Sequence, residues 1–261
     1  MKRWIMALIV AIAALMAMTA CAYVCAQKTV EGSGTLTTRN VPVGEFESVK
    51  ASRGVKVVIA DRTGDVEVQA DDNLIQYITV EQEGKTLRIS VEEGIQIRSM
   101  KNIVVSVPYN AGICKLDASS AAKILVDRQL VADEVELEAS SAGAIRADVK
   151  TFKCSVDLSS SASLALQVVA AQLEVDSSSA SKALLQGAVK AASFDASSAS
   201  SIKAPNLTVQ KADVDCSSAA WIRLRCDRQL DARATSGATV YYEGSCSVRA
   251  RSNMASIQRV K

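Results

Sequence analysis

From Leu116 onward the apolar and polar positions follow one short phrase that recurs to the end of the chain. Its copies read LDASSAAKILV from Leu116, LEASSAGAIRA from Leu137, VDLSSSASLAL from Val156, VDSSSASKALL from Val175, FDASSASSIKA from Phe194 and VDCSSAAWIRL from Val214. A looser copy, ARATSGATVYY, starts at Ala232, and a degraded one, VRARSNMASIQ, at Val248. The steps are 18 to 21 residues up to Ala232 and 16 for the last copy. Self-similarity at such a period predicts a solenoid whose units stack along one axis.

Each phrase reads as a strand, a corner and a second strand. Leu116, Leu137, Val156, Val175, Phe194 and Val214 form an apolar column, each followed by an acid: Asp117, Glu138, Asp157, Asp176, Asp195 and Asp215. Side chains alternate faces along a strand, so the first column points inward and the acids outward. Past the corner, Ile124, Ile145, Leu164, Ile202, Ile222 and Val240 form a second inward column, with Ala183 completing it. The paired serines take the corner, where hydroxyls bond nearby backbone and a tight bend is tolerated. The phrase offers no helical apolar face. The expected fold is all-β: a right-handed parallel β-helix, or solenoid, of ~18–21-residue coils with a less regular N-terminal β lobe.

The start of the chain changes the compartment. Lys2 and Arg3 precede an uncharged run from Trp4 to Ala20, the layout of an export signal. Two processing readings stay open: lipidation of Cys21 after the loose lipobox MTAC, or cleavage after Ala26. The expected organisation is residues 1–26 as signal region, 27–113 as N-terminal lobe and first coils, and 114–261 as the regular stack, with 27–261 one continuous domain. The chain is expected to be exported, as an outer-membrane-associated lipoprotein or a periplasmic or surface protein. Its contact with membrane comes only through the signal or a lipid.

Charge and cysteine usage narrow the function classes. Without Lys2 and Arg3 the chain has 28 basic and 28 acidic residues, which gives no electrostatic case for nucleic acid. Histidine is absent, so no Ser-His pair exists and a zinc site is not expected; nor is any cofactor. Of Cys114, Cys154, Cys216, Cys226 and Cys246, only Cys226 and Cys246 share a phase in successive coils and so admit pairing.

Before the regular copies, VKASRGVKVVI (Val49 to Ile59) matches the phrase with Arg53 and Gly54 at the corner. Together with GSG (Gly32 to Gly34), RNV (Arg39 to Val41), VQADDNLIQYI (Val68 to Ile78) and TLRISV, it resembles the head-GIN domain family. That family, typical of Bacteroidota, carries the label "putative auto-transporter adhesin". The resemblance spans nearly all of the chain after the signal region, although Gly54-Val55-Lys56 replaces the family's Gly-Ile-Asn. It implies an exported, repetitive β fold in the cell envelope and transfers no catalytic or binding residue.

Three features carry candidate chemistry. The acid column, with Asp157, Asp176 and Asp195 at its centre, offers oxygen ligands for calcium, set against the plainer role of a solvated face. Trp221, Arg223 and Tyr241 on successive late coils form an outward platform for a glycan or an envelope or surface protein. An enzyme would be a polysaccharide lyase, but coil length hardly varies and leaves no inserted loop for a pocket. The expected function is an exported binding or structural surface module, adhesin-like and not an enzyme. The alternatives are a polysaccharide-degrading β-helix and a purely structural envelope scaffold.

Overall fold

Fifteen-residue strands run from one corner to the next: Ala144–Leu158, Ser163–Ser177, Lys182–Ala196 and Trp221–Thr235, with Ser201–Cys216 one residue longer. They belong to a computed structural model that describes residues 28–260, a β-solenoid of about eight turns. The processing readings at residues 1–26, Cys21 among them, lie outside the described residues.

Neighbouring coils pair in parallel, and the columns read from the sequence are the observed register. Leu137, Val156, Val175, Phe194 and Val214 are successive partners, as are Ile145, Leu164, Ala183, Ile202, Ile222 and Val240. Both columns are buried, and Asp157, Asp176 and Asp195 are exposed. The last copy departs from expectation. Ala250, not Val248, pairs with Ala232, so that step is 18 residues and Val248 lies beside Leu230. Val248 misleads because the shift is two residues, which keeps the same face.

The corner owes little to its hydroxyls. Ser120 and Ala121 have φ of 49° and 63°, and the same left-handed pair recurs through Ser218 and Ala219. Ala122 N–H donates to Ser119 O at 3.0 Å, which closes the turn. Two adjacent left-handed residues inside such a turn are the type I′ arrangement that Asn-Gly usually supplies. Left-handed backbone costs a non-glycine residue roughly 1–2 kcal/mol. Offsetting that cost, the second corner residue donates to the next coil: Ala121 N to Ser141 O at 2.9 Å, Ala180 N to Ser198 O at 3.0 Å, Ala199 N to Ser218 O at 3.0 Å. Among the described residues the hydroxyls of Ser120, Ser141, Ser160, Ser179, Ser198 and Ser218 bond no protein group. The main chain itself makes the ladder. Ser181 and Ser200 belong to the core instead, donating to Leu158 O at 3.1 Å and Ser177 O at 2.7 Å.

The N-terminal part stacks out of chain order. Ser48–Ala51 and Lys56–Ala60 pair with Lys115–Ala118 and Lys123–Val126 on one side. On the other side they pair with the later strands Thr86–Val91 and Val104–Pro108. Arg53 and Gly54 form the expected corner, Gly54 N donating to Ser120 O at 2.9 Å. Antiparallel strands Ile78–Glu83 and Val66–Asp71 then cover this end of the stack. The family-like motifs meet here. A Cβ on Gly32 would lie 1.7 Å from Asp71 Oδ2, Ser33 N donates to Asn73 Oδ1 at 3.0 Å, and Arg39 Nη2 donates to Ile78 O at 2.6 Å. These motifs hold the lobe together.

Candidate functional site

The corner divides each coil into two strands whose outer faces carry different chemistry. Before the corner the outward columns run Glu136, Ser155, Glu174, Ser193, Asp213 and Glu138, Asp157, Asp176, Asp195, Asp215. No base interrupts either column over these coils. Cations close the face at its ends: Lys50 meets Asp117 at 3.2 Å, Lys115 meets Glu136 at 2.9 Å and Glu138 at 2.8 Å, and Arg233 approaches Asp215 at 3.8 Å. Between them, Asp157, Asp176 and Asp195 have no ion-pair partner among the described residues. Partial burial, followed by the charges of Asp195, Glu174 and Asp157, holds the Asp176 carboxyl above its ordinary range. Burial and then Asp215 act likewise on Asp195. Like charges on a ~4.8 Å ladder repel. The relief inside the stack is Lys153, which stands 3.5 Å from Glu174 and leaves the three aspartates unpaired. No three metal-ligating side chains converge on one point among the described residues.

After the corner the outward columns run Ala144, Ser163, Lys182, Ser201, Trp221 and Arg146, Ala165, Leu184, Lys203, Arg223, Tyr241. This face is basic and apolar, with Leu184 exposed. The structure brings the sequence-selected trio together: Trp221 and Arg223 share a strand two residues apart, and Tyr241 is the register partner of Arg223. Trp221 and Tyr241 are half-buried and Arg223 is exposed. Two further residues complete the platform. Lys203 Nζ stands 5.3 Å from the Trp221 ring centroid, a cation–π distance, and Arg223 Nη2 donates to Glu243 Oε1 at 2.6 Å. Sequence periodicity already placed Lys203 in the Arg223 column, but an exposed lysine gives no sign that it will lean over an aromatic ring.

All five cysteines of the described residues are free thiols. Burial pushes Cys154 up to about 12 and Cys216 up to about 11, which leaves both as inert core residues. Val135 separates Cys114 from Cys154 in the stack, consistent with the two-coil gap. Cys226 and Cys246 are unbridged; Cys226 Sγ donates to Gln229 O at 3.0 Å. Away from the regular coils, Phe46, Glu47, Lys85, Tyr109 and Asn110 line an open cleft of about 560 Å³ in the N-terminal lobe. Its lysine is engaged by Glu47.

The family described as "Putative auto-transporter adhesin, head GIN domain" matches residues 45–246 of the chain. No curated protein matches it. A "putative adhesin" from Parabacteroides merdae superposes with a TM-score of 0.79 at 19% identity, covering 89% of this chain and 99% of its own. A "putative lipid binding protein" from Parabacteroides distasonis gives 0.81 at 20%, covering 90% and 100%, and a "putative adhesin" from the same organism gives 0.80 at 20%, covering 89% and 100%. At these identities the likeness is one of fold.

Proposed function

The chain belongs to the head GIN domain family, and from that premise we propose that it is an exported, adhesin-like binding module of the cell envelope. The observation that carries this reading is the platform of Trp221, Arg223 and Tyr241 on an open sheet face, bordered by Lys203. A flat aromatic surface flanked by cations suits the ring and acidic groups of an envelope glycan or the edge of another protein. The neighbours described as adhesins support a surface role. Of the two processing readings, lipidation at Cys21 would tether the module to the outer membrane and cleavage after Ala26 would release it.

The reading as a polysaccharide-degrading enzyme has less support. Between Ala144 and Thr235 each coil is strand and corner, with no inserted loop to wall a cleft beside the platform.

The test is a glycan array with a parallel pull-down from envelope extracts, using wild type and Trp221→Ala. Loss of an anchor residue is expected to weaken binding by roughly 1–3 kcal/mol, about five- to 150-fold, with the melting temperature nearly unchanged. Equal binding by the variant would remove the platform from the account. A variant that unfolds readily would make Trp221 a packing residue.

A further inference from the structure

The two outer faces of this solenoid are complementary to each other. At the corners after Glu138, Asp176, Asp195 and Asp215 the chain passes from an outward acid to an outward base, Arg146, Lys182, Lys203 and Arg223. The corner after Asp157 leads instead to Ser163 and Ala165. Asp176 and Lys182 flank the corner of one coil, and Asp195 and Lys203 flank that of the next. In these two coils the acid and the base are thus carried at matching heights, but on different faces of the same molecule. Asp176, Asp195, Lys182 and Lys203 make no ion pair among the described residues. The acids repeat at the strand spacing of ~4.8 Å, and the bases follow on successive coils in two columns, Lys182 in that of Trp221 and Lys203 in that of Arg223. A second ladder that matches a solenoid's pitch over several rungs is one with the same repeat, and a second copy of this chain has it.

We propose that the acidic face of one copy docks on the basic and apolar face of another, coil against coil. The proposal rests on the reading of the Trp221 face as a binding surface and names a partner for it. With the two axes parallel and no axial offset, Asp176 meets Lys182 and Asp195 meets Lys203 of the neighbour, while Asp215 meets the coil of Trp221. The contact is heterologous: the pair keeps one face of each kind free, so further copies add until a ring closes or an array forms. Repulsion between Asp176 and Asp195, which no cation of the same chain pairs among the described residues, is relieved by the neighbour's cations. Five rungs by about five residues of strand give a patch of roughly 24 by 17 Å, near 400 Å² per partner. That is below the size of a stable isolated complex, so single pairs are weak and dissociable. Copies held at high density in one plane gain from repetition what each contact lacks.

The full chain is tested by sedimentation velocity over rising protein concentration, at about 0.01 M salt and at about 1 M salt, where the Debye length falls from ~30 Å to ~3 Å. Wild type is expected to self-associate at low salt and to lose most of that association at high salt. Two charge-reversed variants, D176K/D195K and K182E/K203E, are each expected to remain monomeric alone and to associate when mixed. Mixing restores opposite charges at every altered rung, and it also shows that both variants are folded. If a reversed variant fails to melt cooperatively, the neutral pairs D176N/D195N and K182Q/K203Q replace them and each is expected to weaken association several-fold. A wild type that stays monomeric at low salt, association that persists at high salt, or folded variants that fail to combine would each overturn the proposal. The outcomes separate from those of the envelope-binding test. A monomeric wild type whose capture of an envelope ligand is lost in Trp221→Ala would remove the copy-to-copy contact and leave the binding reading intact.

Discussion

Ile202→Ala is expected to lower the stability of the stack by about 2–5 kcal/mol, in the upper half of that range. Ile202 is fully buried in the column after the corner, between Ala183 and Ile222. Ala183 is already the smallest member of that column. A second alanine above it would leave two successive rungs without a side chain to close the space, and the flanking coils are fixed in register by their ladders. The hole therefore stays open, and the cost includes the cavity as well as the lost transfer energy. Asp195→Ser, a few residues away on the outside, is the matched control and is expected to change stability by well under 1 kcal/mol. Urea unfolding of the two variants checks both: a large drop in midpoint for the first with little change in slope, and almost none for the second. A small effect at Ile202 would mean that the columns do not pack as continuous stacks.

At the corner a single position should respond in opposite directions. Ala199 has φ of 60° and its N–H donates to Ser218 O at 3.0 Å. Ala199→Gly relieves the left-handed strain, worth roughly 1–2 kcal/mol, and gives back part of it, about 0.4–1 kcal/mol, through the freer unfolded chain. The net expectation is a gain of about 0.5–1 kcal/mol. Ala199→Pro locks φ near −65°, removes the donor and crowds Ser198, which is itself left-handed. It is expected to cost at least ~3 kcal/mol and to break the stack between the coils of Phe194 and Val214. Thermal melts of the pair decide the matter. Two variants that both destabilise would show that the corner is not held in the left-handed region.

The regular half of the molecule was legible because one repeated phrase ties inside and outside to the same letters. Ile202 and Asp195 take their faces from alternation alone, and the stack then carries each assignment to the next coil. The conformation of the corner was less visible. Ser and Ala are poor signals for left-handed backbone, so the main-chain ladder from Ala199 to Ser218 had no counterpart in residue type. The N-terminal lobe was hidden for a different reason. Thr86–Val91 stacks below Ser48–Ala51 although it follows it in the chain, and nothing local to either strand records that inversion. Gly32 looks like an ordinary loop glycine until the Asp71 carboxylate is found where its Cβ would be. At the platform, periodicity delivered Trp221, Arg223 and Tyr241 to one face. It placed Lys203 in the Arg223 column but not over the Trp221 ring, and it gave no sign of the Arg223–Glu243 pair, because both contacts depend on rotamers and not on register.

Both functional proposals require that each corner lock its coil over the one before, since that lock sets the rungs of the two faces at one pitch. Amide hydrogen exchange at Ala121, Ala142, Ser161, Ala180, Ala199 and Ala219 tests it most directly. Their side chains are exposed, so a solvent-facing loop would exchange there quickly. Because each N–H donates to the next corner, the expected result is protection comparable to that of core strand residues such as Val175. Fast exchange at these six amides beside slow exchange at Val175 would contradict the lock, and the shared pitch of the two faces would fall with it.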